Sequence, residues 1–264
     1  MQVAEETYDH LGMLNSAQRQ AAEYGEAEAG KAFSSGPLLV IAGAGTGKTM
    51  TLAHRVAHLV ISGVSPERIL LLTFTRRASQ EMTRRVESIL RVATKGMGTA
   101  PLPAGGLPWS GTFHSVANRL LRRFAHNLGL DPGFSVLDRG DAADILDVVR
   151  HEQKLTRTAR RFPKKDTCLA IYSRCVNTER PLAETLDTTY PWCADWSDEL
   201  AELFRHYVLR KQQTQTLDYD DLLLYWSHLV AEQEFAEQIG SSFDHVLVDE
   251  YQDTNLVQAK ILNA

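Results

Sequence analysis

Cysteine is nearly missing from this chain of 264 residues: Cys168, Cys175 and Cys193 are its whole complement. An odd count with no Cys-x-x-Cys pair and no histidine at ligand spacing excludes a disulfide framework and a zinc ribbon, leaving reduced structural thiols. Long hydrophobic runs are lacking too. No stretch of about 18 apolar residues is available to span a bilayer. The start, Met1-Gln2-Val3-Ala4-Glu5-Glu6, has neither the basic residues nor the apolar core of a secretory signal, so a cytoplasmic protein with no membrane partner is expected. Positive charge is not in excess: 28 Lys+Arg against 33 Asp+Glu give a net charge of −5. Bulk electrostatics would not draw such a chain onto nucleic acid, and any binding of that kind must rest on local basic clusters. A composition with 44% hydrophobic, 8% aromatic and 23% charged residues excludes low-complexity disorder. The length suits one or two domains.

Apolar periodicity supplies the organisation. A short helical pattern over 14–24 gives way to the Ala/Glu/Gly-rich run 26–30 and the linker Ser34-Ser35-Gly36-Pro37. Leu38-Leu39-Val40-Ile41, bounded by Pro37 and Gly43, predicts a strand buried on both faces, with a helix following over 48–62. Residues 69–74 repeat the pattern, and 77–92 place Ala78, Met82, Val86, Ile89 and Leu90 on one helical face. Glycines and prolines concentrate in 94–108, which reads as a surface loop. From 113 to 216 the periodicity is helical, over 116–128, 142–153, 166–177 and 196–213, and then a third buried strand follows at 245–248. The expected fold is α/β, a parallel sheet interrupted by an all-helical insert. There is no internal repeat.

Two segments carry chemistry. Ala42-Gly43-Ala44-Gly45-Thr46-Gly47-Lys48-Thr49 lies between a predicted strand and a predicted helix, the context in which a phosphate-binding loop operates. Its glycines let backbone N–H groups converge on phosphate oxygens, Lys48 reaches the β and γ phosphates of ATP, and the Thr49 hydroxyl ligates Mg²⁺. Asp249-Glu250 closes the late strand, where a parallel sheet brings its carboxyl ends beside that loop. Asp249 would hold the Mg²⁺ shell, and Glu250 would orient and deprotonate the attacking water.

These segments closely resemble the Walker A and Walker B motifs of the UvrD/Rep/PcrA family of superfamily 1 DNA helicases, the second reading Asp249-Glu250-Tyr251-Gln252-Asp253-Thr254-Asn255. The resemblance extends in family order along the chain. Leu14-Asn15 with Gln18 is similar to the Q motif, Thr73-Phe74-Thr75 with Ala78 and Glu81-Met82 to motif Ia, and Gly111-Thr112-Phe113-His114-Ser115 to motif Ib. Leu217-Asp218-Tyr219-Asp220-Asp221-Leu222 resembles the segment that re-enters the motor lobe.

The resemblance implies a RecA-like lobe in two parts, 1–115 and 217–264, around a helical inserted subdomain at 116–216. It implies ATP-driven, usually 3′ to 5′, movement along single-stranded DNA, and unwinding at junctions with duplex. Relatives with these motifs serve DNA repair, replication restart and plasmid replication. Gln18 would read the adenine edge, Gln252 would couple near the γ phosphate, and Thr73, Phe74, Thr75, Arg76, Thr112, Phe113 and His114 would contact single-stranded DNA. An aromatic face stacks on any base and hydroxyls bind phosphate without reading sequence. Taken alone, Phe74 reads equally as a core aromatic, and His114 as a capping or core histidine.

The chain also departs from the family pattern. Met50 stands where an arginine usually packs on adenine, which implies weaker base selectivity, and Arg76-Arg77 replaces Asn-Lys in motif Ia. Motifs III to VI are absent before Ala264, so the expectation is an N-terminal portion that holds nucleotide but hydrolyses it poorly without its C-terminal motor lobe. A nucleotide-responsive DNA-binding module without turnover is the alternative; a small P-loop kinase would leave the Thr-Phe-Thr and Gly-Thr-Phe-His-Ser segments unexplained. Basic residues cluster at 150–165 and at Arg119, Arg122 and Arg123, which suggests DNA-facing surfaces.

Overall fold

The computed structural model describes residues 9–26, 33–94, 102, 106–155 and 161–264. Its contacts divide the chain into two compact units, Met1–Val116 with Glu237–Asp253, and Ala117–Ala236 with Thr254–Ala264.

The first unit is built on a parallel sheet of β1 (Ile69–Thr73), β2 (Ser110–Thr112) and β5 (His245–Val248), in the order β2-β1-β5. All five residues of β1 are buried, as expected for a strand paired on both edges and covered on both faces. Three helices belong to this unit: α1 (Ser16–Glu23), α2 (Lys48–Ile61) and α3 (Arg76–Ala93). Ala53, Val56 and Ala57 of α2 and Met82, Val86 and Leu90 of α3 close over Leu71 and Leu107. A second cluster joins Phe33, Leu59, Val64 and Ile69. Burying a large aliphatic side chain of this kind contributes about 1.5–3 kcal/mol, so these clusters anchor the helices that carry the site.

The strand expected at 38–41 does not form. The sheet order leaves this run without a hydrogen-bonded neighbour, and Leu38, Leu39, Val40 and Ile41 are 47%, 69%, 45% and 88% exposed. An apolar run becomes a strand only where another edge takes up its backbone groups, and β5, the adjacent candidate, pairs only with β1. Val246 of β5 is itself 53% exposed, so the burial expected at 245–248 is incomplete. In the predicted surface loop, 95–101 and 103–105 lie outside the described residues, while Leu107 is buried in the core.

The second unit is mainly helical. Helix α4 (Phe113–Arg123) leads into it, followed by α5 (Arg139–Glu152), α6 (Lys165–Thr178), α7 (Leu182–Thr189), α8 (Ser197–Gln213), α9 (Tyr219–Ala231), α10 (Gln233–Gly240) and α11 (Leu256–Asn263). Two of the boundaries between the units fall inside α4 and α10, and the third lies between Asp253 and Thr254, before α11. The expectation of helices alone is corrected by a short parallel pair, β3 (Ser135–Val136) with β4 (Thr216–Leu217). Two-residue strands carry no periodicity, and their partners lie far apart in the chain. Leu146, Ile171, Leu200, Leu203 and Tyr207 centre the core.

Residues 217–222 pack within this helical unit. Lys211, 2% exposed, donates to Asp218 and Asp221 at 2.6 Å each. Asp218 in turn caps α9 through a capping box with Asp221. Burial removes all three charges from water, and the lysine offsets the cost only because both carboxylates converge on it. All three cysteines are free; burial pushes the Cys168 thiol up to about 12, consistent with an inert structural role.

Candidate nucleotide and nucleic-acid site

The residues of the phosphate loop, the acidic strand end, Gln18 and the DNA-contact set 73–76 and 112–114 all lie in the first unit, whereas the basic clusters at 119–123 and 150–165 belong to the second. The phosphate loop opens directly into α2. Gly45 and Gly47 have φ values of +77° and +88°, the left-handed region that lets a short loop turn its N–H groups inward before the helix begins. Thr46 Oγ1 donates to the Gly43 carbonyl at 2.8 Å, closing the loop on itself. Lys48 Nζ lies back over the loop, donating to the carbonyls of Ala42 at 3.1 Å and Gly43 at 3.2 Å. The Lys48 ammonium therefore sits within the curl that the backbone encloses. Ala44 is exposed, while Thr49 is half-buried in the first turn of α2.

Gln18 joins this loop from α1. Its Oε1 accepts from the Asn15 N–H and its Nε2 donates to the Thr46 carbonyl at 2.9 Å. Asn15 caps the same helix through the reciprocal bond to Gln18 N, so a capping box aims the glutamine amide across the loop. A Cβ on Gly47 would lie 2.8 Å from Gln18 Nε2, so the glycine also clears space for this contact.

The acidic residues arrive through the sheet. Asp249 follows β5, and its N–H donates to the Leu72 carbonyl of β1 at 2.9 Å. Its carboxyl is 8% exposed, and burial together with the neighbouring Glu250 raises it above the ordinary aspartate range, while Lys48 pulls it down. Glu250 adopts φ +51°, an uncommon conformation for a residue with a side chain. Its carboxylate accepts from Gln252 Nε2, and its carbonyl accepts from Asp253 N at 2.9 Å. Gln252 therefore fixes the direction of the Glu250 carboxylate.

The resulting donor set fits a magnesium-bound triphosphate. Two left-handed glycines shape the curl, one lysine lies against its carbonyls, and a hydroxyl and a buried carboxylate supply hard oxygen ligands.

The residues expected to meet DNA divide by exposure. Thr73 pairs in register with Thr112 across β1 and β2, at the same carboxyl edge as Asp249. Both threonines are buried and locally engaged: Thr73 Oγ1 donates to the Thr75 carbonyl at 3.2 Å, and Thr112 Oγ1 accepts from Ser115 N at 3.2 Å. Phe113 is 1% exposed and meets Phe74 with ring centroids 5.7 Å apart. The seven residues expected to meet DNA therefore differ in exposure. Phe74 and His114 are half-buried, and Thr75 and Arg76 are exposed, whereas Thr73, Thr112 and Phe113 shape the turns beneath them. Thr75 Oγ1 accepts from Ala78 N at 3.1 Å as the cap of α3, which leaves its hydroxyl proton available. Burial pushes His114 below the ordinary histidine range.

The basic clusters are also partly consumed by structure. Arg150 is buried, pairs with Asp147 and lies 5.9 Å from the Phe162 ring centre, and Lys165 pairs with Asp144. Arg122 lies over Phe134 at 4.3 Å and donates to the Pro132 and Phe134 carbonyls. Residues 156–160, including Arg157 and Arg160, lie outside the described residues. Several contacts carried no signal in the sequence, among them the Gln18 to Thr46 bond and the Gln252 support of Glu250, because both depend on loop conformation.

Comparison with known proteins places these observations. The family model for the UvrD/REP helicase N-terminal domain matches residues 22–264. The ATP-dependent DNA helicase PcrA of Bacillus subtilis (strain 168) is 33% identical over 250 residues, covering 94% of this chain and 30% of that protein. PcrA of Leuconostoc citreum is 33% identical over 235 residues, covering 87% of this chain and 29% of that protein. PcrA of Staphylococcus aureus (strain Mu50 / ATCC 700699) is 32% identical over 228 residues, with shares of 85% and 29%. The chain spans about three tenths of the length of these curated relatives.

Proposed function

Because this chain belongs to the UvrD/REP helicase family by its N-terminal domain, we propose that it is the nucleotide-binding part of an ATP-dependent DNA helicase that moves along single-stranded DNA. The observation that carries this reading is that Gln18 and Lys48 bond to one phosphate loop at the start of α2 while Asp249 follows β5 at the carboxyl edge of the parallel sheet. No helix among the described residues is long and apolar enough to cross a membrane.

In this reading the backbone N–H groups of 42–47 and the Lys48 ammonium bind the phosphates, and Gln18 reads the adenine edge. Thr49 and Asp249 hold Mg²⁺, which when bound neutralises charge on the phosphate oxygens. Glu250, steadied by Gln252, accepts a proton from the attacking water. Phe74 and His114 offer flat ring faces to bases, Thr75 and Arg76 bind phosphate, and the buried Thr73, Thr112 and Phe113 hold them in place.

Residues 1–115 and 217–264 are assigned to a RecA-like lobe and 116–216 to an inserted helical subdomain, an assignment that follows the family order of the motifs. Contact with the junction between single strand and duplex belongs to the same proposal. Since the match covers about three tenths of its relatives, unwinding is proposed for the full motor, with slow turnover expected from these 264 residues alone.

The test is MgATP binding and turnover by this chain, with and without single-stranded DNA, beside Lys48→Ala and Glu250→Gln. Binding that needs Lys48, with slow turnover that Glu250→Gln abolishes while binding persists, supports the reading. Binding indifferent to Lys48 overturns it, and robust DNA-stimulated turnover would reject the incomplete-motor part.

A further inference from the structure

Three histidines gather where the segment before α1 meets α2. His10 Nε2 and His58 Nδ1 are 3.3 Å apart, and their rings are nearly parallel, with centroids 5.5 Å apart and planes 18° apart. This geometry suits one N–H···N hydrogen bond between two neutral imidazoles, one donating and one accepting. His54, one turn earlier on α2, is 4% exposed, and its ring hydrogen-bonds the His10 backbone. The other ring nitrogen, Nδ1, is buried without a hydrogen-bond partner. A proton added to His54 Nδ1 would face no acceptor, and a proton added to the His10–His58 pair would set N–H against N–H.

The surroundings do not compensate an added charge. Asp9 and Glu23, the nearby carboxylates, are already paired with Arg19 at 2.9 and 3.0 Å. From α2, Arg55 contributes a cation, lying 5.3 Å from the Phe33 ring centre and donating to the Ala22 carbonyl and Ser35 Oγ. Phe33 meets the His58 ring edge-on at 5.7 Å. From β5, His245 bonds the Phe33 carbonyl at 3.2 Å, while the preceding Asp244 is held by Arg68. Burial pushes His10, His54 and His58 below the ordinary histidine range; His58 lowers His10 further against the opposing pull of Asp9 and Glu23, the His10 backbone partly opposes the shift of His54, and Arg55 lowers His58 further against Glu23.

We propose that His10, His54 and His58 form an acid-released latch that holds the segment before α1, and α1 itself, against α2 while the rings are neutral. The latch reaches the nucleotide site because α1 carries Gln18, whose amide donates to Thr46, and this consequence rests on the nucleotide-binding reading above. The docked state favours neutral rings, whereas undocked histidines take up protons below about pH 6.5. Docking is therefore complete above that value, weakens as pH falls through it, and goes on weakening until the docked rings themselves protonate.

The experiment is imidazole NMR and amide hydrogen exchange over 10–24 in the full 264-residue chain, from about pH 8 to about pH 5. After correction for the intrinsic pH dependence of exchange, α1 protection is expected to fall at least about tenfold per pH unit, one proton's worth of linkage, as His10 and His58 protonate. His10→Phe keeps a flat ring on His58 without a titrating group and should flatten that slope. Protection that stays constant in the native chain, or falls as steeply in His10→Phe, overturns the latch. If His10→Phe fails to dock at high pH, the native titration decides. MgATP binding measured alongside keeps the two readings apart: no Lys48-dependent binding at any pH removes the nucleotide reading, while exchange still judges the latch.

Discussion

The side-chain amide of Gln18 donates to the Thr46 carbonyl at 2.9 Å, so the helix that precedes the phosphate loop in sequence is bonded to the loop's own backbone. The residue proposed to read the adenine edge is thus also bonded to the backbone of the loop. Gln18→Ala should lower MgATP affinity by up to about tenfold, one hydrogen bond's worth. It should also reduce discrimination against GTP, and calorimetric titration with both nucleotides reads the two effects together. Discrimination left intact would remove Gln18 from base recognition.

Lys48→Ala should leave the fold unchanged, because among the described residues the ammonium bonds only to carbonyls of its own loop. A charge-assisted contact to phosphate contributes about 1.5–3 kcal/mol, so nucleotide affinity should fall by roughly ten- to a hundredfold with little change in melting temperature. Equal losses of stability and affinity would point to a structural lysine.

Phe74→Leu tests the DNA face. Leucine preserves apolar contact with Phe113 but removes the flat ring. Loss of one base stack should weaken single-stranded DNA binding by about 1–3 kcal/mol, with little change in its salt dependence, since no charge is removed. Fluorescence anisotropy with a labelled oligonucleotide at two salt concentrations provides the measurement. A changed salt slope with unchanged affinity would contradict it.

Lys211→Met should be the most destabilising of these changes, by about 3–5 kcal/mol, because Asp218 and Asp221 would remain buried without their cation. The loss should depend on pH. Burial and Asp218 already push Asp221 up to about 6. A raised carboxyl pKa means the folded state binds more protons than the unfolded state, so this group favours folding as pH falls through about 6. The deficit in Lys211→Met should therefore be largest at alkaline pH and shrink towards pH 5. Urea melts of both proteins across that range would show a pH-independent deficit if the lysine acts by packing alone.

Some of the candidate site could be read directly along the chain. The loop 42–49 has a local logic, small residues and a lysine at a helix start, and α2 begins at Lys48 as periodicity demands. Asp249-Glu250 likewise follows an apolar run that becomes β5. The same argument failed at 38–41, where equally apolar residues stay exposed because they do not pair with the free edge of β5. Exposure within the DNA set was not readable either. Thr73 and Thr75 are two residues apart and chemically alike, yet one is sealed beneath the turn and the other caps α3 at the surface.

The sequence by itself determined the identity and order of the chemical groups, two of the three strands of the parallel sheet and most helices, because these depend on short-range spacing and on the pattern of apolar and polar residues. Tertiary structure alone decided which edges pair and how Gln18, Thr46 and Lys48 converge. It also brought His10 within hydrogen-bond reach of His58, 48 positions away. Such contacts depend on the relative placement of distant segments, which burial and hydrogen-bond satisfaction settle only once the whole unit has packed.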